Sequence, residues 1–412
     1  MLSIIRSSWR RFSFSSMHNL QMAALLALLA VASAEIVGEV QGNAVGLFAT
    51  ISDVALDLEL IEGAVSNDGR RVSLVLAARP KGKLGAVPDL WLATVDDKGA
   101  VQKWRPLLPD LTAVGGSPDK RLALKRIVIG MSDRSPEQVI VAVNQAGRTP
   151  LLMAFRPGSP SDVTRLPVVV PGVEPEFQAV VETATGRLFA VGNVGPKFLS
   201  AEIRPDGTTV AQRVLTTPAV VIEDVQPTLD GGLIVIGRQA AMSKEAASDD
   251  ALPLWMGKFS SKGDFERETK LSGRSPSIAS LSNGDFVVSL FQAQARTQDL
   301  EVRVLDRDLR QKWTKTVVTG QAPTAPAFQV AAMASGGFVV AGAKDRGLWV
   351  TEFGPKGEVI WTDAKTPAPP VMEMVFNLKL LSSRQSTYVA YTAFTAADRE
   401  QRQQVRLARL TR

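Results

Sequence analysis

The feature that most constrains the fold of this chain is an internal repeat. The stretch from Ala334 to Trp361 reads ASGGFVVAGAKDRGLWVTEFGPKGEVIW, which is a glycine turn, two apolar runs, a second turn and a closing tryptophan. Related stretches recur along the chain, 45 to 66 residues apart. Their equivalent anchor positions are Asp68, Arg134, Thr185, Asp230, Asn283, Ser335 and Gln385. Repeats of this length are typical of stacked supersecondary units.

Each unit has the same internal order of four short, β-rich runs separated by glycine, aspartate or asparagine turns. Such runs joined by tight turns predict antiparallel strands. Four antiparallel strands in about fifty residues are the pattern of one propeller blade. We therefore predict an all-β fold, a seven-bladed β-propeller of four-stranded antiparallel blades.

The last unit contains only three such runs before the chain reaches Arg412. An additional apolar stretch, AVGLFATI, lies at Ala44 to Ile51, before the first unit. We predict that it pairs with the last blade and closes the ring, because a closed ring exposes no open sheet edges between its ends. The alternative is that this stretch is an unstructured remnant of the N-terminal leader.

The fourth and sixth units resemble a repeat that is widespread in secreted bacterial proteins. The matching residues are Asp230-Gly231-Gly232, Gly237, Leu254-Trp255, Lys258-Phe259 and Gly263 in the fourth unit, and Gly336-Gly337-Phe338, Gly342, Leu348-Trp349, Gly357 and Trp361 in the sixth. The resemblance implies a propeller and a location in the cell envelope. Members of that repeat family share no activity, so it implies none here.

Three units end in a tryptophan after the second turn, at Trp104, Trp313 and Trp361. This ending is similar to the tryptophan-docking motif of quinoprotein propellers, which include pyrroloquinoline-quinone dehydrogenases and non-catalytic assembly lipoproteins. The remaining units lack the tryptophan, and the chain lacks the vicinal cysteine pair, having no cysteine. We therefore expect no bound cofactor.

The N-terminus has the pattern of a secretory signal peptide. Three arginines and no acidic residue precede an apolar run that ends in Ala32-Ser33-Ala34. We predict cleavage after Ala34, a signal peptide at residues 1–34, a single propeller domain at 35–412 and a periplasmic or secreted protein. The run is shorter than the roughly 20 residues that span a bilayer, so no membrane span is expected after cleavage. A mitochondrial presequence is the main alternative.

Composition excludes several kinds of chemistry. The chain has no cysteine, and its one histidine, His18, lies in the leader. The usual ligands of zinc, haem, copper and iron–sulfur sites are therefore absent from residues 35–412, as is the base of a Ser-His-Asp triad. We expect no metal site. No run of lysine and arginine exceeds two residues, so we also expect no nucleic-acid partner.

The candidate site is the mouth of the central channel, next to the first strand of each blade. The positions six residues before each anchor hold Glu62, Ala179, Asp224, Ser277 and Gln329. As equivalent positions they should form a ring, and they vary where the glycines do not. We predict that Glu62, Asp224, Ser277 and Gln329 form a binding ring. The alternative is that they are merely exposed strand starts.

Two other features compete for a functional role. The tryptophans at Trp91, Trp255 and Trp349 share one position of the third strand, and repeated aromatics of this kind indicate packing between blades rather than ligand stacking. The long connection RQAAMSKEAASDDALP, residues 238–253, is a second candidate binding element, since variable loops often carry function.

The sequence favours an exported, non-catalytic binding or scaffold protein of the bacterial envelope. We expect its partner to be another envelope protein or a polymer, and we expect the protein to be a monomer. The alternative function is that of a hydrolase or lyase that uses carboxylates at the channel mouth. That alternative requires Glu62 and Asp224 to converge in one pocket.

Overall fold

A computed structural model describes residues 44–411 of the chain, except for 54, 67, 82–88, 107–123, 133–137, 146–147, 157–158, 167–174, 196, 205–208, 216–219, 240–252, 294–297, 322–327, 345–346, 366–371, 384 and 398–399. The predicted signal peptide and nearly all of the long connection at 238–253 therefore lie outside the described residues. Within the described part, no helix is long and apolar enough to cross a membrane.

The described residues form 28 strands. Their bounds are β1 Ala44–Ile51, β2 Leu56–Val65, β3 Val72–Pro80, β4 Asp89–Val95, β5 Val101–Pro106, β6 Leu124–Ser132, β7 Gln138–Gln145, β8 Arg148–Arg156, β9 Ser159–Leu166, β10 Pro175–Glu182, β11 Leu188–Val194, β12 Lys197–Ile203, β13 Thr209–Leu215, β14 Val220–Pro227, β15 Leu233–Gln239, β16 Leu254–Phe259, β17 Phe265–Leu271, β18 Arg274–Ser280, β19 Phe286–Ala293, β20 Gln298–Leu305, β21 Gln311–Gln321, β22 Gln329–Ala332, β23 Phe338–Lys344, β24 Gly347–Phe353, β25 Val359–Lys365, β26 Met372–Ser382, β27 Thr387–Ala397 and β28 Glu400–Thr411.

The strands assemble into four-stranded antiparallel sheets, as predicted. The predicted count of seven blades needs a correction. Six blades are complete within one continuous segment, from β2-β3-β4-β5 to β22-β23-β24-β25. The remaining sheet, β1-β28-β27-β26, is a composite of the two ends of the described chain. The reason is that the last unit supplies only three strands, so its fourth position is filled from the other end.

The first strands of the sheets form the inner ring of the molecule. They contact one another in the order β2, β6, β10, β14, β18, β22 and β26, and β26 contacts β2 again. Each first strand is the edge strand of its own sheet. The sheets therefore radiate outward from a closed ring of edge strands, which is the propeller arrangement.

Strand β1 closes the ring, as the apolar stretch at its position predicts. It pairs antiparallel with β28, from Ala44 opposite Thr411 to Ile51 opposite Val405. The Tyr388 hydroxyl of the same sheet donates a hydrogen bond to the Gly69 carbonyl of the first blade, at 2.8 Å. This bond and the shared apolar core join the composite sheet to the first blade.

The hydrophobic core lies between neighbouring sheets rather than within them. One cluster combines Phe189 and Phe198 of the third blade with Trp255 and Phe259 of the fourth. Trp255 is fully buried, with its ring centroid 6.4 Å from that of Phe198. The prediction that the repeated tryptophans pack between blades is confirmed here, since the ring is unavailable to a ligand.

Trp313, on the fourth strand of its blade, also packs against the next sheet. The Trp313 ring lies over the second turn of the sixth blade, where a Cβ atom added to Gly357 would come within 2.8 Å of it. Gly357 has a φ of +82°, which glycine adopts without strain. Glycine at this position therefore serves both the turn and the close approach of the tryptophan.

Most of the predicted glycine turns are present. The N–H of Gly231 donates to the carbonyl of Thr228, and Gly284 makes the equivalent bond to Leu281. In the fifth blade the glycine position of the second turn is held by Leu309, which has a φ of +63° and is buried. Its side chain packs into the core between the fourth and fifth blades, which offsets the cost of the left-handed backbone.

Candidate functional site

Three of the four predicted site residues lie just after a bulge in the first strand of their blades. The register shifts before Glu62 in β2, before Asp224 in β14 and before Ser277 in β18. A bulge bends an edge strand and leaves backbone groups outside the sheet's own hydrogen-bond ladder. Such groups need partners from elsewhere when they are buried.

Asp224 joins the fourth blade to the fifth. Its Oδ2 accepts hydrogen bonds from the Ile278 backbone N–H at 2.9 Å and from the Ser277 hydroxyl at 3.1 Å, both in β18. Its Oδ1 accepts from the Val225 N–H at 2.8 Å and from the Gln226 amide at 3.3 Å. All four donors belong to the protein, so the carboxylate is occupied by structural hydrogen bonds.

Similar hydrogen bonds join the next pairs of sheets around the inner ring. The Ser277 hydroxyl oxygen accepts from the Val330 N–H of the sixth blade at 3.3 Å. The Gln329 Oε1 accepts from the Leu380 N–H of the composite sheet at 2.7 Å. In each case the side chain at one position bonds the residue that follows the equivalent position of the next sheet.

A second row of bonds runs three residues further along the same strands. The Ser280 hydroxyl donates to the Pro227 carbonyl of the preceding blade at 2.6 Å. The Ser382 hydroxyl makes the equivalent bond to the Ala332 carbonyl at 2.7 Å. We call the two rows together the inter-blade latches.

The composite sheet breaks the pattern. The equivalent residue is Lys379, whose side chain has no hydrogen-bond acceptor. Its Nζ lies 2.8 Å from the Glu62 Oε2 of the first blade. Both side chains are about one-quarter exposed, at 27% for the lysine and 24% for the glutamate. At this junction an ion pair takes the place of a side-chain-to-backbone latch.

Sequence reasoning missed two members of this ring. Lys379 lies six residues before the Gln385 anchor, so the spacing that found the others could have found it. Gln178 lies one residue before Ala179, at the bulge of β10, and its Oε1 accepts from the Ile222 N–H at 2.6 Å. The one-residue offset hid it, because counting from the anchor leads to Ala179, whose side chain has no acceptor.

The structure does not bring Glu62 and Asp224 into one hydrogen-bond network. The partners of Glu62 are Lys379 and the Gly63 N–H, and none of them is shared with Asp224. The strands β6 and β10 lie between β2 and β14 along the inner ring on one side, and three first strands lie between them on the other. The convergent carboxylate pocket that the enzyme alternative requires is therefore not formed by these two residues.

The electrostatics of Asp224 are set by two opposing effects. Burial raises the pKa of its carboxyl group, and the hydrogen bonds from Ile278, Ser277, Gln226 and Val225 partly counteract this. Asp224 keeps some exposed surface, but its carboxyl group is surrounded by protein. The effect of burial is therefore larger than that of the hydrogen bonds, and the pKa is raised. The folded state therefore favours the protonated form more than the unfolded chain does.

A buried cation lies under the glycine turn of the fourth blade. The Lys258 Nζ is 2.7 Å from the Asp230 Oδ2 and 3.2 Å from the Glu266 Oε2. Burial alone would lower the pKa of Lys258, but the two carboxylates raise it above the ordinary value. Asp230 also accepts a hydrogen bond from the Thr228 hydroxyl, so this group holds the turn in place.

Within the described part of the chain, no three or more acidic or histidine side chains are grouped so that they could hold a metal ion. The described carboxylates of the inner ring are engaged by backbone N–H groups, hydroxyls, amides or cations. The arrangement can fix neighbouring sheets against each other.

No protein-family model matches the sequence, and no curated protein is similar to it at a significant level. Its structural neighbours are β-propeller proteins. The lectin BP39L from Burkholderia pseudomallei superposes with a TM-score of 0.53 at 10% identity, covering 83% of this chain and 96% of the lectin. The virginiamycin B lyase from Staphylococcus aureus superposes with a TM-score of 0.50 at 10% identity, covering 88% and 98%. At this identity the likeness shows the fold alone.

Proposed function

We propose that this protein is an exported, non-catalytic propeller that binds another envelope protein or a polymer and acts as a scaffold. The observation that carries the proposal is that polar side chains of the inner ring bond neighbouring sheets to each other. Asp224, Ser277 and Gln329 hold neighbouring sheets together through hydrogen bonds of 2.7 to 3.3 Å. Side chains committed in this way contribute rigidity, and a rigid ring favours binding because little order is lost when a partner docks.

The fold is compatible with this role without deciding it. One neighbour is described as a lectin and another as a lyase, so propellers of similar shape serve both binding and catalysis. The enzyme alternative would need reacting groups within hydrogen-bond reach of one substrate. Glu62 and Asp224 do not meet that condition with each other, and this favours the binding role.

Export rests on the sequence of the leader. Basic residues, an apolar run and the Ala32-Ser33-Ala34 site support a signal peptide, and the absence of cysteine suits a fold that does not depend on disulfides. Expression of the full chain with a C-terminal tag, followed by mass determination of the purified protein, tests this. We expect an N-terminus at Glu35 in the envelope fraction. An intact Met1 in the cytoplasm would contradict export.

The binding role is tested by capture from the native envelope and measurement with the purified partner. We expect a saturable interaction that leaves the partner chemically unchanged, as judged by its mass after prolonged incubation. Glu62→Gln should bind as the wild-type protein does, since Glu62 is engaged by Lys379 of the composite sheet at 2.8 Å. Turnover of the partner that Glu62→Gln abolishes in a folded protein would overturn the proposal.

A further inference from the structure

Strand β25 presents an apolar edge on the outer rim of the sixth blade. It is the last strand of its sheet, and within the described chain its ladder partner is β24. Val359 is 51% exposed and Ile360 is 50% exposed. Because successive residues of a strand point to opposite faces, this stretch is exposed on both faces as well as along its backbone edge.

The outer strands of the two preceding blades are protected differently. Strand β17 has the sequence FERETKL, in which charged residues alternate in sign. Strand β21 begins QKWTKT, with a lysine at its second and fifth positions. Charged side chains on an edge strand discourage pairing with another chain. The first four residues of β25, Val359 to Thr362, carry no charge.

Two lysines lie at the turn end of this edge. Lys356 is exposed in the turn immediately before β25. Lys315 of the neighbouring outer strand reaches the same turn, with its Nζ 3.0 Å from the Gly357 carbonyl. The one acid of the turn, Glu358, accepts a hydrogen bond from the Lys356 backbone N–H at 3.1 Å, so it is directed into the turn itself.

We propose that the edge of β25 docks an extended segment of the partner protein as a fifth strand of the sixth blade. The backbone groups of the edge supply the ladder, and Val359 and Ile360 contact apolar residues at alternate positions of the segment. The two lysines select a segment that carries an acidic residue at the end next to the turn. Antiparallel pairing places that acid on the C-terminal side of the segment. This inference rests on the proposed binding role and names its surface.

A direct test uses a fluorescein-labelled peptide of alternating threonine and valine that ends in two aspartates. Fluorescence polarisation with the full chain should show saturable binding. Ile360→Lys should weaken it by at least about tenfold, which is roughly 1.4 kcal/mol. The matched control is Val210→Lys, because Val210 is 45% exposed on β13, the outer strand of the third blade. That variant should bind as the wild type does.

Two further probes separate the components of the interaction. The same peptide ending in two lysines should bind more weakly, and the peptide with alternate backbone nitrogens methylated should lose binding. Absence of saturable binding by the wild type, or equal affinity for Ile360→Lys, would overturn the inference. A captured partner that binds Ile360→Lys as tightly as the wild type would refute the docking edge alone. The binding role itself fails if no partner is found or if the partner is turned over.

Discussion

Replacing Asp224 by alanine tests whether the latches hold the ring together. The substitution removes an acceptor of four hydrogen bonds and leaves the Ile278 N–H without its partner at 2.9 Å. Ile278 itself is completely buried. An orphaned buried donor costs about 1–3 kcal/mol, and loss of the Ser277 bond adds to this. We expect the free energy of unfolding to fall by about 2–4 kcal/mol.

Urea denaturation followed by tryptophan fluorescence measures this loss. The slope against denaturant should stay unchanged, since the folded state keeps its buried surface. A double-mutant cycle with Ser277→Ala should give a coupling energy of about 1 kcal/mol, because the two side chains are in direct contact. A loss below about 0.5 kcal/mol for Asp224→Ala would refute the structural role, and the prediction of a ligand-binding role would then regain support.

The pH dependence of the same comparison checks the environment of the carboxyl group. Because burial raises the pKa of Asp224 in the folded state, the wild-type protein loses stability as the pH rises from the unfolded pKa through the folded pKa. The alanine variant has no such group. The loss of stability caused by Asp224→Ala should therefore be larger at pH 3.5 than at pH 7. The lower pH is chosen because it lies just below the ordinary aspartate pKa of about 3.9. If the loss of stability caused by Asp224→Ala instead grew with pH, the hydrogen bonds to the carboxylate would lower its pKa by more than burial raises it.

Three further substitutions have defined outcomes. A double-mutant cycle on Glu62 and Lys379 should give about 1 kcal/mol or less at low salt, falling with ionic strength, because the pair is partly exposed; an energy independent of salt would contradict an ion pair. Gly357→Ala should lower the melting temperature more than Gly284→Ala, since both have a positive φ but only the first faces a docked tryptophan; equal shifts would argue against docking. Ser73→Ala should stabilise the protein by about 1 kcal/mol in urea denaturation, because its buried hydroxyl has no partner in the described chain; destabilisation would indicate a bonded hydroxyl.

The propeller architecture was predictable because the same turn and strand pattern recurs in several units of the repeat. The glycines at Gly231, Gly284 and Gly336 all have a positive φ between +83° and +88° and close the same turn. A turn that needs a positive φ restricts residue choice strongly, so it leaves a mark in the sequence. The pairing of β1 with β28 was also predictable, since the last unit lacked a strand and one extra apolar run was available.

The details of the inner ring were less predictable because the bonding side chain does not occupy the same position in every blade. Counting back from the anchors located Asp224, Ser277 and Gln329 correctly as equivalent positions. It missed Gln178, which accepts from a backbone N–H of the next blade from the position before the count, although its partner Ile222 precedes Asp224 rather than following it. The counted residue there, Ala179, has no side-chain acceptor, so the preceding bulge residue supplies the bond instead.

Variation among equivalent positions was the argument for a binding ring, and the latches give that variation a physical explanation. A backbone N–H is satisfied equally by a carboxylate, a hydroxyl or an amide oxygen, and Asp224, Ser277 and Gln329 supply one of each. A position that needs only an acceptor of the right reach therefore diverges freely without acquiring a ligand. The outer edge is different, because exposed apolar residues have no such structural partner. Divergence toward Ile360, at a position where the two preceding blades place Glu266 and Lys312, is accordingly the stronger indication of a docking surface.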